Sequence, residues 1–274
     1  MSNMFSNKPG KFQQYKMIRM KKSIPTTIIA FFTFIILFSN GLKAQTQEGT
    51  IRYLRTQNWA KMMASVDYIS KQQRDRMMYM WGTRSEWKSY SLLHFNAVES
   101  KYEDSEEEAE PGMEGWSNRK ETFFMKRNFN ENTLYDGITM LGKTYLVHDT
   151  ITPLSWKILN DMKEVAGHIC MNASLKDTVR HQDIIVWFAL DMPNSAGPER
   201  FTGLPGIILE VDINNGALVM TADKIDLKPL TTELTVPEKI KGKKINSAEY
   251  QKLIDEQIKD RKAAEEPWFW GIRY

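Results

Sequence analysis

The side chains best suited to chemistry in this sequence are His168 and Cys170, the latter being its sole cysteine. On a β-strand, residues two apart share a face, so imidazole and thiol would sit side by side. Thiolate and imidazole together suit zinc or copper, with His148 or His181 as a third ligand, and they are also the nearest approach to a nucleophile beside a base. Against this, a lone cysteine is more often a small buried hydrophobe than a ligand. A second candidate is the group Met62, Met63, Met77, Met78 and Met80, whose thioethers would take copper(I). Their helical spacing beside Trp59 and Trp81 favours adaptable packing instead. A third is the acidic run from Glu99 to Gly112, which lacks the ligand spacing of a calcium loop and reads as a solvated segment. No H-E-x-x-H or G-x-S-x-G sequence occurs, and the chain is read as having no glycine-rich phosphate cradle. One thiol excludes an internal disulfide, a zinc ribbon and a C-x-x-C pair.

Targeting information precedes the part that folds. Residues 1–44 hold seven of the 37 basic residues and none of the 34 acidic ones. Within them the apolar run Ile28 to Phe38 is too short for a helix that spans a membrane, which needs about 20 residues. It is followed by Ser39-Asn40-Gly41 and the small residue Ala44. This is the pattern of a signal peptide cleaved near Ala44, and it predicts a periplasmic or secreted product of residues 45–274 with no transmembrane span. Loss of the seven cations moves the formal charge from +3 to −4. No basic stripe then remains for nucleic acid.

The elements that must position any site read as mainly β. At 42% hydrophobic and 26% charged, the 274 residues suffice for a sizeable core. Thr50 to Leu54 and Tyr90 to Ala97 alternate as strands, and helical spacing from Trp59 to Met80 predicts one or two helices. Runs at 121–127, 133–140, 143–150 and 154–159 predict an antiparallel meander, and 184–192 predicts a further strand. Asn215-Gly216 predicts a two-residue type I′ hairpin with Ile213 facing Leu218 and Val211 facing Met220. A helix is expected over 246–266 with Ser247 as N-cap, and the aromatic residues 267–274 are expected to pack back onto the domain. The fold class is thus α+β, mainly antiparallel β, with an N-terminal helical segment and a C-terminal helix.

From about Tyr90 to Lys224 the chain resembles the GLPGLI family of secreted Gram-negative proteins, whose activity is largely unassigned. The name-giving motif stands here as Gly203-Leu204-Pro205-Gly206-Ile207-Ile208, with Ile207 for the usual leucine. Trp156, Gly167 with His168 and Cys170, Trp187, Gly197-Pro198 and Phe201 follow the family's order. The resemblance implies a single domain built on a strongly curved sheet of the half-barrel kind. The motif itself reads as structural: Leu204 to Ile207 fits a type II turn, with Gly206 supplying a positive φ and Gly203 permitting close backbone approach. The function expected is therefore a non-catalytic binding or accessory protein of the bacterial envelope, for an apolar small ligand or an outer-membrane partner. Metal handling through His168, Cys170 or the methionines is the alternative, and an enzyme is the least supported reading. The sequence leaves the cofactor unknown.

Overall fold

In a computed structural model, the described residues are 48–80, 85–109 and 122–274. They belong to one compact unit, Thr46–Tyr274. The expected signal segment, Trp81 and the acidic residues from 110 lie outside the described residues. The elements are β1 (Gly49–Asn58), α1 (Trp59–Ala64), α2 (Lys71–Met80), β2 (Glu86–Phe95), β3 (Glu99–Asp104), β4 (Phe123–Asn128), β5 (Thr133–Met140) and β6 (Lys143–Thr150). After these come β7 (Lys157–Val165), β8 (His168–Asp177), β9 (Gln182–Ala189), β10 (Ile208–Ile213), β11 (Leu218–Asp226), β12 (Lys243–Ile245) and α3 (Ser247–Ala263). The strands form one sheet in the order β12-β6-β5-β4-β3-β2-β1-β11-β10-β9-β8-β7, antiparallel except where β12 joins β6. Two limbs meet at β1, and β12 and β7 remain as edges, so the sheet is open.

Alternation decides which way each strand faces. In β1, Ile51, Tyr53 and Arg55 are buried while Arg52 and Leu54 are half-exposed. Cross-strand pairing carries that inner face through Ser91 and Leu93 to Tyr102 on one side, and through Met220 and Val211 to Val186 on the other. Each large apolar side chain so buried contributes ~1.5–3 kcal/mol. Register shifts at Arg52/Tyr53, Ile208/Glu210 and Ile158/Met162 mark bulges, which bend the strands and curve the sheet. Met62 and Met63 of α1, Ile254 and Ile258 of α3 and the loop 192–207 are buried in the same core. The closing aromatic residues pack there too: Trp268 stacks on Tyr274 at 5.2 Å, and Phe269 meets Trp59.

Several local expectations are corrected. The start of the acidic run is not a loop but strand β3, because Ser100 and Tyr102 alternate inward with the apolar face of β2. Strand β7 begins at Lys157 and continues to Val165, later than the run 154–159 suggests. The N-cap of α3 is Asn246, not Ser247; its side chain takes the Glu249 N–H and the Glu249 side chain takes the Asn246 N–H, a capping box. The β10–β11 register is as expected, but the turn is wider than two residues. Asn214, Asn215 and Gly216 all have positive φ, and the Ala217 N–H donates to the Ile213 carbonyl. Asn214 is drawn into the turn because its side chain accepts from the Asp183 N–H and donates to the Tyr274 hydroxyl.

The glycines of the motif exchange their expected roles. Gly203 carries the positive φ, +93°, in open space, while Gly206 has no positive φ and is a site of close approach. A Cβ on Gly206 would stand 1.8 Å from the Ala189 carbonyl oxygen at the end of β9. Neither atom can retreat without moving backbone, so Gly206→Ala is expected to destabilise by about 3 kcal/mol or more. Gly203→Ala meets only the left-handed penalty of about 1–2 kcal/mol. Urea unfolding midpoints should rank wild type above Gly203→Ala and Gly203→Ala above Gly206→Ala. In the same assay Asn246→Ala should lose about 1 kcal/mol through the cap.

Candidate functional site

The loop 192–207 crosses the inner face from one limb of the sheet towards the other. It is held by backbone bonds: Gly203 N–H to Ser195, Ile207 N–H to Met192 and Ile208 N–H to Ala196. Gly197 fits because a Cβ there would meet the Phe201 carbonyl at 2.4 Å, and the Pro198 carbonyl accepts the Phe201 N–H. Leu204 and Ile207 are buried, and the half-buried Trp156 donates its indole N–H to the Thr202 carbonyl. These packing residues fix the polar ones between them. Glu199 has a φ of +55°, a left-handed backbone that non-glycine residues seldom adopt, and its side chain is directed into the core.

Around Glu199 the inner face carries a set of buried charges. Arg273 donates Nε to Glu199 at 2.6 Å and both terminal nitrogens to the Asp104 carboxylate at 2.9 and 2.7 Å, while lying over the Phe123 ring. Arg55, 6% exposed, is 3.9 Å from Glu199, and its Nε makes no hydrogen bond among the described residues. Arg127 of β4 and Asp136 of β5 form a two-pronged pair. In the opposite limb Arg180 and Arg200 converge on one oxygen of Asp177, at 3.0 and 2.9 Å, and Arg200 also donates to Gln182. Burial raises the Asp104 and Asp177 carboxyls, but their arginines outweigh it and hold both below the usual range. Burial and the like charge of Arg180 push Arg200 down to about 10, so it stays charged at neutral pH. Burial pushes the Tyr250 hydroxyl up to about 12.

Between the limbs lies a cavity of about 500 Å³. Strands β4–β6 supply Arg127, Leu134, Asp136, Ile138 and Val147 to its wall. Arg180, Glu199 and Arg200 close it from the other limb, with Tyr250, Gln251 and Ile254 of α3 above. A second cavity of about 460 Å³ is lined by Arg55, Gln57, Asp104 and Thr139, with Arg273 and Tyr274 shared by the two. Such volumes fall in the range of small-molecule sites, roughly 300–1,000 Å³. Ser247 at the start of α3 places a hydroxyl beside the Asp149 carboxylate in the wall of the first cavity, and among the described residues no histidine, lysine or cysteine lines it. What the first cavity offers is guanidinium donors together with aliphatic surface, the strand wall interleaving Arg127 and Asp136 with Leu134, Ile138 and Val147.

The residues singled out from sequence lie elsewhere. His168 and Cys170 do share a face of β8, by register the one opposite Val186 and the cavity, but His168 Nδ1 is 3.0 and 2.9 Å from the Asp191 carboxylate oxygens. The Cys170 thiol is fully buried, points towards the His168 carbonyl at 3.6 Å, and is pushed up to about 11 by burial and by Asp191. His148 stacks edge-on against Tyr135 in the other limb, and His181 sits in the β8–β9 turn. Among the described residues no three His, Cys, Asp or Glu side chains gather as metal ligands. Met62 and Met63 are buried, whereas Met78 and Met80 are exposed, so the methionines diverge. Trp187 is covered by Lys163 on that same face, and Gly167 forms the β7–β8 turn with Ala166.

The expected absence of a phosphate-cradle signature is corrected by the sequence itself. Gly137-Ile138-Thr139-Met140-Leu141-Gly142-Lys143-Thr144 does spell G-x-x-x-x-G-K-T. The structure makes it the β5–β6 hairpin, with Met140 paired to Lys143 and Leu141-Gly142 as a positive-φ turn. A cradle requires strand, loop and then a helix N-terminus, and no helix follows. The charges of the cavity escape sequence reasoning for a different reason, since a charged residue in a strand ordinarily faces solvent. The available signal is parity: Arg55 stands in step with Ile51 and Tyr53, and Asp136 in step with Ile138 and Met140.

Comparison with known proteins gives a short sequence match and a broader likeness in fold. Residues 174–210 match a family model described as a protein of unknown function, Porph_ging. That segment contains β9, the loop 192–207 and the start of β10. No curated protein matches the chain. Two crystal structures of PNGF-II, in space groups C2 and P21, are similar with TM-scores of 0.50 and 0.51 at 12% identity over 76% of this chain. The chain spans about a third of the length of PNGF-II, 32% and 33% in the two structures. An uncharacterized conserved protein from Thermus thermophilus aligns over 78% of this chain and 99% of its own, at 6% identity and a TM-score of 0.36.

Proposed function

We propose that this is an exported, non-catalytic binding protein of the bacterial envelope, of the GLPGLI type, that holds a small molecule between the limbs of its curved sheet. The observation that carries the reading is the cavity of about 500 Å³ beneath α3, walled by buried guanidinium groups and aliphatic side chains. The basic and then apolar character of residues 1–44 supports export, and the order of Trp156, Gly167, Trp187, Gly197-Pro198 and Gly203 to Ile207 supports the family. In this reading the motif glycines serve the site indirectly, by shaping the loop that presents Glu199 and Arg200.

Two measurements test it. The full chain, expressed with its leader in a Gram-negative host and recovered from the envelope, should run in native mass spectrometry with a stoichiometric small molecule that denaturing extraction releases. A consistently ligand-free protein whose melting temperature no added small molecule raises would refute the binding role and favour docking to an outer-membrane partner. The same preparation separates binding from thiol or metal chemistry. Because Cys170 is buried and its thiol raised to about 11, iodoacetamide at pH 8 should leave it unmodified until the protein is unfolded. Rapid alkylation of the native protein, or zinc or copper at one equivalent, would bring His168 and Cys170 forward instead.

A further inference from the structure

The chemistry of the cavity wall narrows the class of ligand, on the reading that the cavity is a binding site. The cavity is lined by four arginines, Arg127, Arg180, Arg200 and Arg273, and three carboxylates, Asp136, Asp149 and Glu199. Arg127 is matched by Asp136, and the set Arg55, Arg273, Asp104 and Glu199 contains two charges of each sign. Asp149, at the mouth, accepts N–H bonds from Ser247 and Thr150 and faces the positive end of α3. Arg180 and Arg200, by contrast, share the single carboxylate of Asp177. Arg180 is 7% exposed, and each arginine uses only one guanidinium nitrogen among the described residues. A surplus positive charge with unused donors is thus held beside a space only partly shielded from solvent, where an unpaired ion still loses hydration.

Hydrogen bonding points the same way. The buried side-chain atoms that lack a partner among the described residues are Arg55 Nε, Gln182 Nε2 and Gln251 Nε2, and all three are donors. Gln182 uses its oxygen to accept from Arg200, so its amide nitrogen is fixed as the unmatched end. Of the three only Gln251 lies in the wall of this cavity, with Arg180 and Arg200; Arg55 lines the second cavity and Gln182 is the partner of Arg200. A site with spare donors and no spare buried acceptor calls for a ligand that brings acceptor oxygens. The aliphatic part of the lining, Leu134, Ile138, Val147, Leu154 and Ile254, calls for an apolar body.

We infer that the cavity takes a small amphiphilic monocarboxylate, its acid group between Arg180, Arg200 and Gln251 and its hydrocarbon part against the aliphatic wall. One negative charge balances the surplus and a dianion would exceed it. A guanidinium pair also matches a carboxylate fork for fork.

Titration calorimetry of the full chain with octanoate, octanol and inorganic phosphate tests this. Octanoate should bind at one site, and octanol at least tenfold more weakly. Arg200→Gln should weaken octanoate at least tenfold in a chain that stays folded, because Arg180 and Asp177 then remain as a balanced pair. Should that variant fail to fold, Gln251→Glu provides the same comparison: its own carboxylate would occupy the anion position, abolish octanoate binding and leave the fold intact. Equal binding of octanol and octanoate, or full octanoate binding by the folded variants, would overturn the assignment while leaving the cavity as a ligand site. Binding of phosphate with octanoate excluded would overturn it in favour of an inorganic anion. Failure of all three probes would overturn it, and where the envelope-recovered protein also carries no ligand, the binding role falls with it.

Discussion

The constraint on which this structure depends is the satisfaction of charge inside a curved sheet. Arg55, Arg127, Asp136, Arg180 and Glu199 are each less than a tenth exposed, in positions that a simpler antiparallel protein would fill with aliphatic side chains. A buried ion costs several kcal/mol in lost solvation, and its partner returns that only when the geometry is good. Arg273 meets the condition by linking three elements at once: it ties residues 267–274 to Asp104 at the end of β3 and to Glu199 in the loop, over the face of Phe123. Arg55 meets it poorly, with its nearest carboxylate at 3.9 Å. Well-packed apolar residues would stabilise the core more, so the charges are better understood through what they hold between them.

The loop that brings these groups together depends in turn on backbone proximity. Gly206 passes so close to the Ala189 carbonyl, and Gly197 to the Phe201 carbonyl, that no larger residue fits either place. Pro205 and the buried Leu204 and Ile207 fix the path after the crossing, and the bulge at Ile208/Glu210 then lets β10 join the sheet. Glu199 adopts its strained backbone only because both flanks are anchored in this way. Strain at one polar residue, compensated by dense apolar packing around it, is the usual relation between a site and its scaffold.

Much of the fold was legible in the sequence. Strict alternation in Ile51-Arg52-Tyr53 and in Val211 to Ile213 declares one buried face, and Asn-Gly fixes the β10–β11 register, because a slip of one residue would expose every apolar side chain. Less was legible where a tertiary contact decides. Which motif glycine would need a positive φ depended on where β9 ends, and β3 looked like a solvated acidic run because only the partner strand shows that Ser100 and Tyr102 turn inward. The site was the least legible part. Arg55, Asp104, Arg127, Arg200 and Arg273 are far apart in sequence and follow no spacing rule, whereas His168 and Cys170, which do, lie on the opposite face of the sheet.

That contrast follows from how an antiparallel sheet builds a cavity. Each strand contributes one or two inward side chains, so a site is assembled from single residues on many strands rather than from a contiguous motif. Gly137 to Thr144 illustrates the converse: a complete phosphate-loop spelling becomes a hairpin, because its residues pair as strands with β4 and across β5–β6 instead of leading into a helix N-terminus. Any anion bound by this sheet would have to be recognised by side chains. The guanidinium groups at the inner face are the ones in place to supply it, and their unequal pairing with Asp177 sets the polarity of the space they enclose.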